Sequence, residues 1–135
     1  MSTVPRGPAD RPMSPHLQIW RWHITMATSI LHRASIFALY LGLLLLAGWL
    51  VALAAGPDAS ATYEAVVGSP LGLLVLFGIT VMVFFNLAYN VRQAFWDLGH
   101  GFQIKTAEAT AWAAIAFGIA AAIAFWAGLV MLGAL

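Results

Sequence analysis

Three long uncharged stretches fill most of this chain, and every Lys and Arg can lie on one side of them. The stretches run over residues 34–55, 65–91 and 109–135 of 135. None contains a Lys or Arg, and past Glu64 none contains an acid. An α-helix rises about 1.5 Å per residue, so about 20 residues cross about 30 Å of hydrocarbon. Each stretch is long enough. The pattern predicts an all-α integral membrane bundle of three transmembrane helices, with spans near 29–55, 66–93 and 107–133. Residues 1–28 are expected to form a cytoplasmic N-terminal interfacial segment, and 29–135 the anchor domain.

Composition narrows the function classes. Apolar residues make up 62% of the chain and charged residues 8%, against about 25% charged in soluble domains. Cysteine is absent, so this chain supplies no disulfide, thiolate or iron–sulfur ligand. The net charge of +1 carries no argument for nucleic acid, and none is expected as a partner. Residues 1–33 hold four arginines, with three prolines in the first twelve positions. They lack a short apolar core and a small-residue cleavage site, so insertion without processing is expected. Arg6, Arg11, Arg21 and Arg33 precede the first span, and Arg92 and Lys105 lie between the second and third. These six share a side only if the N-terminus and second loop are cytoplasmic and the C-terminus is outside.

The local reading supplies boundaries. Residues 14–33 look helical, with Ser14 as a cap and Pro15 at the first helical position. Trp20 and Trp22 flank Arg21, as at headgroup level. Gly56-Pro57-Asp58 signals a turn in a short first loop, and Ser69-Pro70 restarts a helix. Two glycines in the second loop break the helix, and Thr106 is the expected cap of the third span. That span is rich in Ala and Gly, which favours close helix approach.

Three polar constellations interrupt the apolar pattern. Ser29 and Arg33 are four apart on one helix face, with His32 beside them. A hydroxyl, an imidazole and a guanidinium there can hydrogen-bond a carbonyl or pair with a carboxylate. The bland alternative is an arginine snorkelling to headgroups. Asn86, Asn90 and Gln93 follow i, i+4, i+7 and form a stripe near Tyr89 and Arg92. Asn86 lies about 9 Å below Arg92 along the axis. Such a stripe faces a bundle interior, and its bland role is interhelical hydrogen bonding. Asp97, beside Trp96 and near His100, is placed to pair with Arg92 or Arg33, or to be an ordinary interfacial acid. His16, His23, His32 and His100 lack the helical i, i+4 pairing of a compact metal site.

Residues 11–33, RPMSPHLQIWRWHITMATSILHR, closely resemble the N-terminal signature of the cytochrome b membrane-anchor subunit of succinate dehydrogenase, in its alphaproteobacterial and mitochondrial form. That family reads R-P-x-S-P-H-L-x-I-Y/W, then S-I-x-H-R, then three spans, with R-H-L-x-W-D-x-G after the second. Here Arg92…Trp96-Asp97-Leu98-Gly99 matches that end. The resemblance implies an anchor of succinate:ubiquinone oxidoreductase, respiratory complex II, inactive alone. Its implied partners are a second small membrane-anchor subunit, an iron–sulfur subunit, a flavoprotein subunit and membrane lipid. It implies a quinone site carried by Ser29, Arg33 and Asp97, ubiquinone as electron acceptor, and His32 near the propionates of haem b. One region departs from the pattern. The family's second span reads H-x-x-x-G-x-R-H, and its first His is an axial haem ligand. This chain has Asn86 there, Asn90 for the Gly and Gln93 for the final His; Ile36 replaces a Gly after S-I-x-H-R-x-[ST]. A carboxamide is a poor iron ligand beside imidazole. The expectation is an anchor whose haem b is absent, or held without a His from this chain. The rival reading is a degenerate, non-redox paralogue or structural membrane protein that keeps only the fold.

Overall fold

The computed structural model describes residues 19–133. Four helices follow one another: α1 Ile24–Ala55, α2 Pro57–Val67, α3 Pro70–Asp97 and α4 Ile104–Met131. Three of them, α1, α3 and α4, are long and apolar enough to cross a membrane. Their lengths of 32, 28 and 28 residues exceed the crossing requirement, so their ends project or the helices tilt.

Each boundary has a local cause. The expected helix over residues 14–33 is shorter at its start. Residues 20–23 are not helical, and His23 is extended before α1. Ser14 and Pro15 lie outside the described residues. Trp20 and Trp22 meet edge to face, their ring centroids 5.2 Å apart, both exposed. Gly56 ends α1 with φ 116°, a left-handed backbone open to glycine, and Pro57 begins α2. The first loop is therefore a helix of 11 residues rather than a simple turn. Asp58 lies in its first turn, where an acid complements the helix dipole. The Tyr63 hydroxyl donates to the Leu45 carbonyl at 2.6 Å and fastens α2 to α1.

Ser69 caps α3 as expected: its hydroxyl accepts from the Gly72 amide at 3.2 Å, with Pro70 next in the chain. Gly99 and Gly101 both have positive φ and reverse the chain after α3. Thr106 does not cap α4. The helix starts at Ile104 behind an extended Gln103, and the Thr106 carbonyl accepts from the Thr110 hydroxyl.

The core lies between α3 and α4. Ala111, Ala114, Gly118 and Ala122 are buried in a row along α4. Phe85 and Tyr89 fill the facing side of α3. A Cβ on Gly118 would stand 2.8 Å from Phe85 Cβ, so a glycine is what lets the two backbones approach. The Trp126 indole donates to the Thr80 hydroxyl at 3.2 Å further along the same pair. Large apolar side chains cover the outside, among them Phe37, Leu43, Val51 and Leu71. Such a surface needs lipid or protein against it.

Candidate functional site

Most polar side chains at membrane depth gather at one end of the bundle, where α1 begins, α3 finishes and α4 begins. Two contacts bind α1 to α3 there. The His32 imidazole stacks on the Tyr89 ring, centroids 4.1 Å apart and planes 17° from parallel. The Asn86 amide nitrogen donates to Ser35 Oγ at 2.9 Å.

That second contact belongs to a directed chain. Asn90 Nδ2 donates to Asn86 Oδ1 at 2.8 Å, Asn86 Nδ2 to Ser35 Oγ, and the Ser35 hydroxyl to the His32 carbonyl at 2.7 Å. Each group donates to the next, from α3 across to the backbone of α1. Bonds so aligned polarise one another in a low-dielectric interior. Ser35 is fully buried, Asn86 half-buried, and Asn90 at the chain's head is exposed. The expected stripe is thus present in part. Gln93 leaves it and donates instead to Asp97 Oδ1 at 3.3 Å.

Arg92 corrects a second expectation. It is buried, and neither of its side-chain hydrogen bonds goes to Asp97. Its Nε donates to Thr110 Oγ1 at 3.0 Å and its Nη2 to the Ala107 carbonyl at 3.2 Å, both on α4. Its Cζ lies 3.8 Å from the Trp96 ring centroid and 5.5 Å from that of Tyr89. The reason is angular. Positions 92 and 97 are five apart and point to different sides of α3, whereas 93 and 97 are four apart and share one.

The remaining candidates lie at the same end. Ser29 is half-buried, one residue after Thr28, whose buried hydroxyl bonds back to the Ile24 and Thr25 carbonyls. Arg33 is exposed on the following turn, and Asp97 is exposed as the last residue of α3. Among the described residues, Arg21, Arg33, Arg92 and Lys105 all belong to this end. Ser35 and Thr110 received no role from the sequence. Each is the neutral acceptor of a polar side chain on another helix, a relation no spacing within one helix reveals.

A haem held by α3 would need a free ligand atom and open space on this face. Both polar groups of the Asn86 carboxamide are engaged within the chain: the nitrogen on Ser35, the oxygen by Asn90. Asn90 fills space that a glycine would leave open. The His32 ring lies flat on Tyr89. This face does not fit an axial haem ligand from α3.

Comparisons with known proteins agree with the membrane-spanning reading. A family described as the succinate dehydrogenase/fumarate reductase transmembrane subunit matches residues 8–125. The chain is 37% identical over 123 residues to the succinate dehydrogenase cytochrome b556 subunit of Paracoccus denitrificans, covering 91% of this chain and 93% of that one. It is 31% identical over 116 residues to the Rickettsia felis subunit of the same name, covering 86% and 90%. It is 35% identical over 100 residues to the mitochondrial cytochrome b560 subunit of Sus scrofa, covering 71% and 58%.

Proposed function

Because the chain belongs to the succinate dehydrogenase/fumarate reductase transmembrane subunit family, we propose that it anchors a succinate:ubiquinone oxidoreductase in the bacterial inner membrane and forms part of its quinone pocket. The complex would couple a step of the tricarboxylic acid cycle to the respiratory chain. Its partners are a flavoprotein that oxidises succinate, an iron–sulfur subunit that carries the electrons, and a second small anchor. The rival reading, a paralogue keeping only the fold, is not favoured. The identity to an enzyme subunit runs through nearly the whole chain.

One observation carries the quinone reading. The His32–Tyr89 stack and the Asn86–Ser35 bond hold the start of α1 against the end of α3. Ser29, Arg33 and Asp97 therefore belong to one end of the bundle, the end that carries the positive charge. In this reading the Ser29 hydroxyl donates to a quinone carbonyl. Arg33, not yet engaged with α3, answers the charge that builds on the quinone oxygens as electrons arrive. Asp97, in contact with solvent, is where protons enter. That end faces the cytoplasm, following the asymmetry of basic residues.

Replacing Arg33 by Ala tests the site. Loss of a charge-assisted hydrogen bond worth about 1.5–3 kcal/mol corresponds to a fall of roughly ten- to a hundred-fold in quinone reduction. Succinate oxidation with a soluble acceptor should persist. Normal quinone kinetics in an assembled Arg33→Ala complex would remove this residue from the pocket.

The relatives' name includes cytochrome b. When bound, haem b supplies a one-electron redox centre. We propose that this chain contributes no axial ligand to it. A dithionite-reduced minus oxidised spectrum of the purified complex should show no b-type signal, or one that Asn86→Ala and His32→Ala leave unchanged. Disappearance of that signal in either assembled variant would overturn the reading.

A further inference from the structure

A groove runs where α3 meets α4, on a different side of α3 from the amide chain. Its wider part, about 460 Å³, lies between Leu87, Val91 and Phe95 on α3 and Ala113 and Phe117 on α4. A second part, about 310 Å³, continues it toward the loop between the helices, beside Trp96, His100 and Thr106. Arg92, Phe95 and Thr110 border both parts. The groove is apolar along its length, and its loop end adds the polar side chains of His100 and Thr106 to the lining.

Arg92 stands at the junction and is only 6% exposed. Its two hydrogen-bond acceptors, a threonine hydroxyl and a main-chain carbonyl, are both neutral. Nη1 donates to neither of them. Among the described residues no sealed side-chain nitrogen or oxygen lacks a partner, so Nη1 is not shut inside the bundle, and Arg92 borders both parts of the groove. The acids nearest along the chain, Asp97 and Glu108, do not line it. A guanidinium in such a place without a counter-charge is unfavourable, and the Trp96 ring offsets only part of this.

We infer that the groove holds an anionic phospholipid. Its phosphate accepts from Arg92 Nη1 at the loop end, and one acyl chain lies along Phe95, Val91, Leu87 and Phe117. The apolar run from Phe95 to Leu87 spans about 12 Å of helix, enough to seat the upper part of an acyl chain. A neutral quinone would fit the apolar walls but bring no charge to the guanidinium. The inference rests on the membrane-spanning reading and is independent of where quinone binds.

The test uses the whole purified complex. Its lipids are exchanged in detergent against equal amounts of phosphatidylglycerol and phosphatidylcholine, and those retained are counted by native mass spectrometry. Retention of phosphatidylglycerol should exceed that of phosphatidylcholine by about ten-fold, the size of one charge-assisted contact. Arg92→Gln should release one phosphatidylglycerol per copy of this chain, and Arg92→Lys should keep it. Ala113→Phe, which fills the groove and leaves the charge, should release it too and decides the matter if Arg92→Gln fails to assemble. Co-purification of this chain with the flavoprotein and iron–sulfur subunits reports assembly in every variant. Equal retention of the two lipids by the unaltered complex overturns the site. So does a preference surviving in assembled Arg92→Gln or Ala113→Phe, or a cross-link from Ala113→Cys to a partner subunit, because protein would then fill the groove.

Discussion

Where α1 begins and α3 ends, helices are joined by side chains bonding to side chains: Asn86 to Ser35, Arg92 to Thr110, His32 stacked on Tyr89. From the middle of the bundle to the opposite end the joints are of another kind. Tyr63 reaches a backbone carbonyl of α1, Trp126 reaches Thr80, and Phe84 packs edge-on between Phe117 and Phe125. An interhelical hydrogen bond within a membrane contributes only about 0.6 kcal/mol on average. The far end shows that small residues, aromatic rings and isolated polar locks suffice to close a bundle of this size. The extra amides, histidine and arginine at the near end exceed that need. Closure alone does not call for them, whereas the quinone chemistry proposed for that end would.

The sharpest way to break this comparison is topological. If the near end faces the cytoplasm, a reporter active only in the cytoplasm and fused after Leu135 should be silent, an all-or-none result. Strong activity from the fusion would put the polar end outside and separate it from a cytoplasmic electron source. Next in size is the close approach of α3 and α4. Gly118→Val drives a side chain into Phe85 and should destabilise the bundle by about 1–3 kcal/mol. Gly128→Ala, where an added Cβ meets nothing within 4 Å, should leave it no less stable. Thermal unfolding of the two variants in detergent decides this, and equal midpoints would mean that the helix contact is not as close as Gly118 implies. The smallest effect compares the two ends directly. Double-mutant cycles on Asn86/Ser35 and on Trp126/Thr80 should each give a coupling near 0.6 kcal/mol. A coupling at Asn86/Ser35 indistinguishable from zero would show that the near-end amides do not hold α1 to α3.

Much of this architecture was legible in the sequence, and the misses share a cause. Runs without charge reveal spans because hydrocarbon tolerates few alternatives, and Ser69-Pro70 and the loop glycines act locally. Gly56-Pro57-Asp58 is a strong turn signal and by itself points to a short loop before Pro70. The same residues equally start a helix, and alanines at 59, 61 and 65 continue it. The i, i+4 relation of Asn86 and Asn90 was visible, since it lies within one helix. Their link to Ser35, and the turn of Arg92 toward Thr110 rather than Asp97, depend on the register between helices. No single-helix periodicity contains that register. Family resemblance pointed to Ser29, Arg33 and Asp97, and their common end follows from how the helices pair.

The amide chain from Asn90 to the His32 carbonyl has an electrical meaning as well. A carboxamide can offer its hydrogens, but at ordinary pH it does not accept one at nitrogen and release another. Asn90 and Asn86 therefore align dipoles between α3 and α1 without forming a wire for protons. The bundle is insulated along that line, so protons at the near end do not cross the membrane by this route. The membrane potential is neither drained nor fed through this ladder.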